Sequence, residues 1–421
     1  MAATDAHRAI DAVWRIESAK VIAGLARLVG DIGQAEDLAQ DALLVALEKW
    51  PETGVPDNPG AWLMATARHR AIDLLRRQKL LERKHEQLGH ELDSQQESAF
   101  PDLDAAIDDD IGDDLLRLIF TACHPVLYTE AQVALTLRLL GGLTTVEIAR
   151  AYLAPEPTIA QRIVRAKKTL ADAKVPFEVP RGAELATRLS SVLGVIYLIF
   201  NEGYSATAGD DWMRPALSED ALRLGRILAE LAKGESEVHG LVALMEIQAS
   251  RAHARVGPNG EPVLLLDQDR ARWDYVLIRR GLDALARAEA LGGAGGPYAM
   301  QAAIAACHAR ARTGDETDWD RIASLYGTLA RLTPSPVVEL NRAVAVSFAR
   351  GPAAGLALVD ALASEPSLRS YHLLPSVRGD LLAKLGRVAE ARTEIERAAS
   401  LTRNARERAL LLSRAAALTG Q

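Results

Sequence analysis

Residues 68–84 hold seven cations, Arg68, Arg70, Arg76, Arg77, Lys79, Arg83 and Lys84, against Asp73 and Glu82. A helix with such a flank can neutralise phosphates and release their counterions, which gives salt-dependent affinity for nucleic acid. A second basic set lies in Leu143–Leu170, LTTVEIARAYLAPEPTIAQRIVRAKKTL. There Gln161, Arg162, Arg165, Lys167 and Lys168 fall away from an apolar stripe of Ile159, Ile163, Ala166 and Leu170. Polar side chains near the start of such a helix reach base edges, and later ones reach phosphates. A third constellation is acidic: Asp37, Gln40, Asp41 and Glu48 share the outer side of AEDLAQDALLVALEKW, residues 35–50. Elsewhere Asn201, Glu202, Asp267, Asp269 and Arg270 carry acid–base or metal-ligand chemistry in principle. No HExxH, GxSxG or Walker-type loop accompanies them. They are expected to bond turn backbones and each other, so neither metal, cofactor nor enzymatic activity is expected.

The elements that must position these groups read as helices. Ala35, Leu38, Ala42, Val45 and Ala46 form one helical face. Ala61, Trp62, Ala65, Ile72 and Leu75 supply the apolar side of the basic segment. Thr144 or Thr145 can cap a short helix with Glu147 in its first turn and Val146, Ile148, Ala149 and Tyr152 facing inward. A tight turn at Ala154–Pro157 and a second helix from about Thr158 complete a helix-turn-helix. Pro and Gly mark breaks instead of interrupting periodic segments, aromatics are only 5%, and alternating patterns are scarce, so the fold class is all-α.

The net charge of −7 argues at first against a nucleic-acid partner. Its distribution reverses that. Residues 1–85 sum to 0, 86–114 to −11 without a single Lys or Arg, 115–182 to +4, and 183–421 to 0. The blocks are thus a helical unit (1–85), an acidic linker (86–114), a second helical unit (115–175) and, after a Pro176–Gly182 hinge, a long helical array (183–421). Near its end Gly379, Leu382, Gly386, Ala391, Ile395 and Ala398 are spaced as in a tetratricopeptide (TPR) unit, with Arg403 where Pro is usual. Ala302–Leu332 and Val337–Leu362 look like degenerate units of the same kind. An unrelated helical bundle is the alternative. Cys123 and Cys307 make no disulfide framework. Met1–Arg15 is polar, and the longest apolar run, Val192–Phe200, is short for a membrane span. A soluble, cytoplasmic protein is expected.

The order of these pieces resembles bacterial sigma factors of the sigma-70 family, specifically the small extracytoplasmic-function (ECF) group with only sigma-2 and sigma-4 domains. The likeness covers residues 1–175. It implies that residues 35–50 are the helix that binds core RNA polymerase, with Asp37, Gln40 and Asp41 at the clamp of the largest subunits and sigma-4 at the flap. GAWLMATARHRAIDLLRR, residues 60–77, looks like the segment that melts and reads the −10 element, through Trp62, Arg68, His69, Arg70, Asp73, Arg76 and Arg77. His69 stands where many relatives have Asn. Leu143–Leu170 looks like the −35 reader, through Thr158, Gln161, Arg162, Arg165 and Lys168, with Pro155-Glu156-Pro157 replacing the commoner Gly-containing turn. The acidic linker is either an occupant of the path that nucleic acid later takes or a plain spacer. The long C-terminal half is similar to a subgroup with a TPR-like extension, at Ile199–Tyr204, Leu266–Asp274, Ser335–Ala345 and Tyr371–Leu382. It would offer a protein- or ligand-binding surface that regulates the rest. The rival readings are a stand-alone helix-turn-helix regulator with a TPR-type sensor, and an enzyme hidden in 183–421.

Overall fold

The computed structural model describes residues 2–87, 111–258 and 260–418. The expected linker therefore lies outside the described residues except at its two ends. The chain divides into two compact units, Met1–Val195 and Ile196–Gln421. Among the described residues, eighteen α-helices and a two-residue parallel strand pair account for the regular structure, together with short 3-10 turns.

The first unit opens with α1 (Ala2–Val29), α2 (Ile32–Thr53) and α3 (Pro59–Gln87), which pack on one another. Gly30 takes φ +73° to end α1. Asp31 then caps α2, its carboxylate accepting from the Gln34 N–H at 2.8 Å. Asn58 does the same for α3 through the Ala61 N–H at 3.1 Å. The core is built from Ile10, Val21, Ile22 and Leu25 of α1, Ala35, Ala39, Ala42, Ala46 and Trp50 of α2, and Leu63, Ala67 and Ala71 of α3. This corrects the expected face of α3. Ala61 and Ala65 are exposed, Ile72 and Leu75 half-buried, and the buried stripe is Leu63–Ala67–Ala71. Small side chains win that face because they let α3 approach its neighbours closely.

The same unit continues with α4 (Ile111–Ala122), α5 (Thr129–Leu139), α6 (Thr145–Ala151) and α7 (Glu156–Asp172). Residues 111–114, expected within the linker, begin α4, and Asp114 is buried against Arg27 at 3.1 Å and Arg117 at 2.6 Å. The buried amide of Gln132 donates to the carbonyls of Cys123 and His124, closing the turn before α5.

Helix α8 (Ala183–Tyr204) has the length and mean hydropathy, 1.5, of a membrane span over an 18-residue window. That qualifies the sequence expectation. Its Val192, Val195, Ile196, Ile199 and Phe200 are buried within the fold, as the side chains of a core helix are.

The second unit continues through α9 (Pro215–Leu231), α10 (Ser236–Ala249), α11 (Tyr275–Ala290), α12 (Pro297–Arg310), α13 (Trp319–Leu332), α14 (Pro336–Arg350), α15 (Pro352–Ala361), α16 (Leu373–Lys384), α17 (Val388–Leu401) and α18 (Ala405–Ala417). Successive helices pack against each other along most of this array. Of the spaced residues in α16 and α17, Leu382, Ala391, Ile395 and Ala398 are buried, and Gly386 takes φ +76° in the turn between the helices. A Cβ at Gly379 would stand 2.6 Å from Ile395 Cγ1 and 3.0 Å from the Ala391 carbonyl, so only glycine fits that crossing. Arg403–Asn404 pairs in parallel with Ala208–Gly209, and the Asn404 amide donates to the carbonyls of Ala206 and Asp211. Residue 403, where the repeat pattern favours Pro, is thus a strand residue here.

Candidate nucleic-acid interface

Helix α6 begins on a complete capping box. Thr144 Oγ1 accepts from the Glu147 N–H at 3.2 Å, and the Glu147 carboxylate accepts from the Thr144 N–H at 2.8 Å. Ile148 and Ala149 face inward as expected, while Val146 is 46% exposed. The turn uses Leu153 in the left-handed region, φ +48°, with the Ala154 N–H donating to the Ala149 carbonyl at 2.9 Å. The second helix, α7, starts at Glu156, two residues before the expected Thr158. Pro155 sits at its cap and Pro157 in its first turn, where the missing N–H costs nothing and φ is already helical.

On α7 the apolar stripe of Ile159, Ile163, Ala166 and Leu170 is buried. Thr158, Gln161, Arg165 and Lys168 are exposed, and Arg162 is half-buried. The five residues assigned to −35 reading therefore lie off the stripe, with four of them on open surface.

Helices α2 and α3 bring the other two sets together. Asp37 is exposed and Asp41 half-buried. Arg70 of the basic segment meets Asp41 at 2.7 Å, both about half exposed, so one member of the expected −10 set pairs with one of the expected polymerase-binding set. Such an exposed pair contributes little stability and is easily exchanged. Trp62 packs edge-on against buried Trp50, ring centroids 5.2 Å apart. His69 Nδ1 lies 2.7 Å from the Ala65 carbonyl. Asp73 stands 4.0 Å from Arg76, both about two-thirds exposed, and Arg77 is exposed. Arg68 is half-buried.

Sequence reasoning passed over Glu36. It is 2% exposed, yet it is a carboxylate on the polymerase-binding candidate helix. Its Oε1 accepts from Arg138 Nε of α5 at 2.6 Å and from the Gln40 amide at 2.6 Å. Its Oε2 forms an ion pair with Lys167 of α7. A second contact joins the same parts, where Arg15 of α1 meets Glu147 of the capping box at 2.5 Å. Gln40, one of the expected polymerase-binding residues, is thus occupied by Glu36, and the α6–α7 pair is held against α1 and α2. The signal was available: Glu36 sits one turn after buried Ile32 and shares the buried flank with Ala35 and Ala39.

Two acids of Leu266–Asp274 cap turns of the backbone. Asp269 accepts from the Ala271 N–H at 3.0 Å, and Asp274 caps α11 through the N–H groups of Val276 and Leu277. Glu202 binds Arg214 and the Thr207 hydroxyl. Among the described residues no group of three or more His, Cys, Asp or Glu is placed to hold a metal. Burial pushes the Cys123 thiol up to about 12, so it stays protonated in the core.

Residues 16–80 match the family model described as Sigma-70 region 2. The match falls on α1, α2 and α3. Residues 188–289 match a model described as a family of unknown function. The chain is 44% identical over 393 residues to an uncharacterized protein of Rhizobium meliloti (strain 1021), covering 93% of this chain and 92% of that one. No solved structure matches.

Proposed function

We propose that this chain, whose residues 16–80 match Sigma-70 region 2, is a transcription initiation factor of the ECF group that directs core RNA polymerase to −35 and −10 promoter elements. The observation that carries this reading is the coincidence of the Sigma-70 region 2 match with a helix pair that presents Asp37 and Asp41 beside the basic segment of α3. Residues 1–85 bind the polymerase clamp through Asp37, Gln40 and Asp41. Trp62, Arg68, His69, Arg70, Asp73, Arg76 and Arg77 then capture unstacked bases of the −10 element, whose faces stack on aromatic and guanidinium planes. Residues 115–175 place α7 in the −35 major groove through Thr158, Gln161, Arg162, Arg165 and Lys168, and sit at the flap. The protein acts in the cytoplasm and has no enzymatic activity of its own. Residues 183–421 form a TPR-like extension that regulates the rest.

The Glu36 cluster supports a resting arrangement in the free protein. Lys167 of the reading helix is neutralised by a carboxylate of α2, and Gln40 is occupied. The two DNA-binding parts must separate to span a promoter, so free DNA affinity is weak and polymerase binding releases both.

In-vitro transcription with purified core polymerase and a cognate promoter tests the reading. A promoter-dependent transcript and co-purification with core enzyme are expected. Absence of both overturns it.

A further inference from the structure

In residues 196–421 several charged groups that lose water are paired with opposite charges. Glu246, 1% exposed, meets Arg226 at 2.8 Å and Arg280 at 3.6 Å. Glu407 meets His372 at 2.9 Å, and Arg378 meets both Asp360 and Glu394. A cluster of three arginines is held differently. Arg251 and Arg255 follow α10, and Arg270 precedes α11. Arg255 Cζ stands 3.5 Å over the Tyr204 ring, and Arg251 Cζ lies 5.9 Å from the same ring. Arg251 also lies 5.8 Å from the Trp273 ring, over which Arg270 Cζ stands at 4.6 Å. Two shared rings thus hold three guanidinium groups in one place.

Their partners are all neutral. Arg255, 8% exposed, donates to the Tyr204 carbonyl. Arg270 donates to the carbonyls of His308 at 2.5 Å and Ala311 at 2.8 Å, and its Nη2 lies 3.5 Å from the Thr317 hydroxyl. Arg251 Nε and His308 Nδ1 are sealed from solvent with no hydrogen-bond partner. Among the described residues no carboxylate forms an ion pair with any of the three arginines; Glu316, whose charge acts on Arg270, accepts from the Arg312 N–H. Ring faces attract cations, but they do not replace the counter-ion that a desolvated charge requires. A cationic cluster left in this state is built for a counter-ion from outside the chain.

We infer that Arg251, Arg255, Arg270 and His308 form a binding site for a small organic or inorganic anion, presenting a carboxylate or phosphate group against Tyr204 and Trp273. Guanidinium forks recognise both groups by paired N–H donors. His308, which burial and the neighbouring Arg251 and Arg270 hold down to about 4, is neutral at pH 7 and supplies one ring nitrogen to the ligand without adding charge. The inference rests on residues 196–421 alone and stands or falls separately from the transcriptional reading.

The test uses the full chain, thermal melting and tryptophan emission, with sodium phosphate and sodium benzoate each compared with sodium chloride at equal ionic strength. At least one anion is expected to raise the melting temperature and change the emission. Phosphate alone identifies a phosphate-bearing ligand, and benzoate alone a carboxylate. Arg251→Met should weaken the response about tenfold or more and, without anion, melt no lower than the parent because it loses an unpaired charge. Arg251→Lys, which keeps the charge and loses the planar fork, provides the same reading if the methionine variant does not fold. No response beyond chloride, or an unaltered response in the variant that folds, overturns the site.

Discussion

Glu36→Gln removes one negative charge and keeps the shape of the side chain. In the parent that charge faces Arg138 Nε at 2.6 Å and Lys167 Nζ, whose side chains are 20% and 19% exposed. Removing one partner of a buried ion cluster costs about 3–5 kcal/mol, because the remaining charges stay desolvated. Here the two cations keep some water, which places the loss at the lower end, about 3 kcal/mol. For a cooperative unit of about 200 residues, each kcal/mol moves the melting temperature by about 2–4 °C. The first unit should therefore melt about 6–12 °C lower. Differential scanning calorimetry reads this directly. A double-mutant cycle with Lys167→Met isolates the pair, with a coupling energy of about 1–3 kcal/mol expected. The same substitution should raise the affinity of the free protein for promoter DNA, since it releases Lys167. A melting shift under about 2 °C together with zero coupling would refute the reasoning.

Arg162→Ala with Arg165→Ala should weaken binding of the polymerase complex to a −35 element and reduce its salt slope by about 2, read by filter binding over a salt series. An unchanged slope removes α7 from the DNA. Gly379→Ala forces a methyl group to 2.6 Å from Ile395 Cγ1, which should cost about 1–3 kcal/mol in the second unit by thermal melting. His308 titrates at about 4 when folded and at 6.5 in its ordinary state. As pH falls from 6.5 to 4, the unfolded chain takes up a proton that the folded chain refuses. Stability is therefore full above that window and declines within it, by about 3 kcal/mol. His308→Phe should remove that part of the pH dependence in denaturant titrations at pH 7 and pH 4.5.

Local periodicity made much of this fold legible. The stripe of α7 and the Thr144–Glu147 box depend on residues within one or two turns, and both stand where spacing puts them. The face of α3 was misjudged because large apolar residues were weighted over Ala67 and Ala71, whereas helix approach distance decided the burial. The start of α7 was placed too late because Pro157 looked like the end of a turn rather than the first turn of a helix. Glu36 and the Arg251 cluster were hidden for a different reason. Their meaning comes from partners 102 residues away in one case and 38 in another, and no local pattern encodes such meetings.

Glu147 holds two posts. It closes the capping box of α6 and it also receives Arg15 from α1. The first bond is internal to the helix-turn-helix, and the second is not. Losing Arg15 leaves the cap intact, so the helix-turn-helix can depart from α1 as a finished object. Parting would break the ionic contacts of Glu147 and Glu36 and the close approach of the Gly142 turn to Arg15 and Ser18, but would require no helix to melt. Such a parting would be a rigid-body displacement, a class of motion on the order of microseconds to milliseconds, and added salt would weaken the ionic contacts that oppose it.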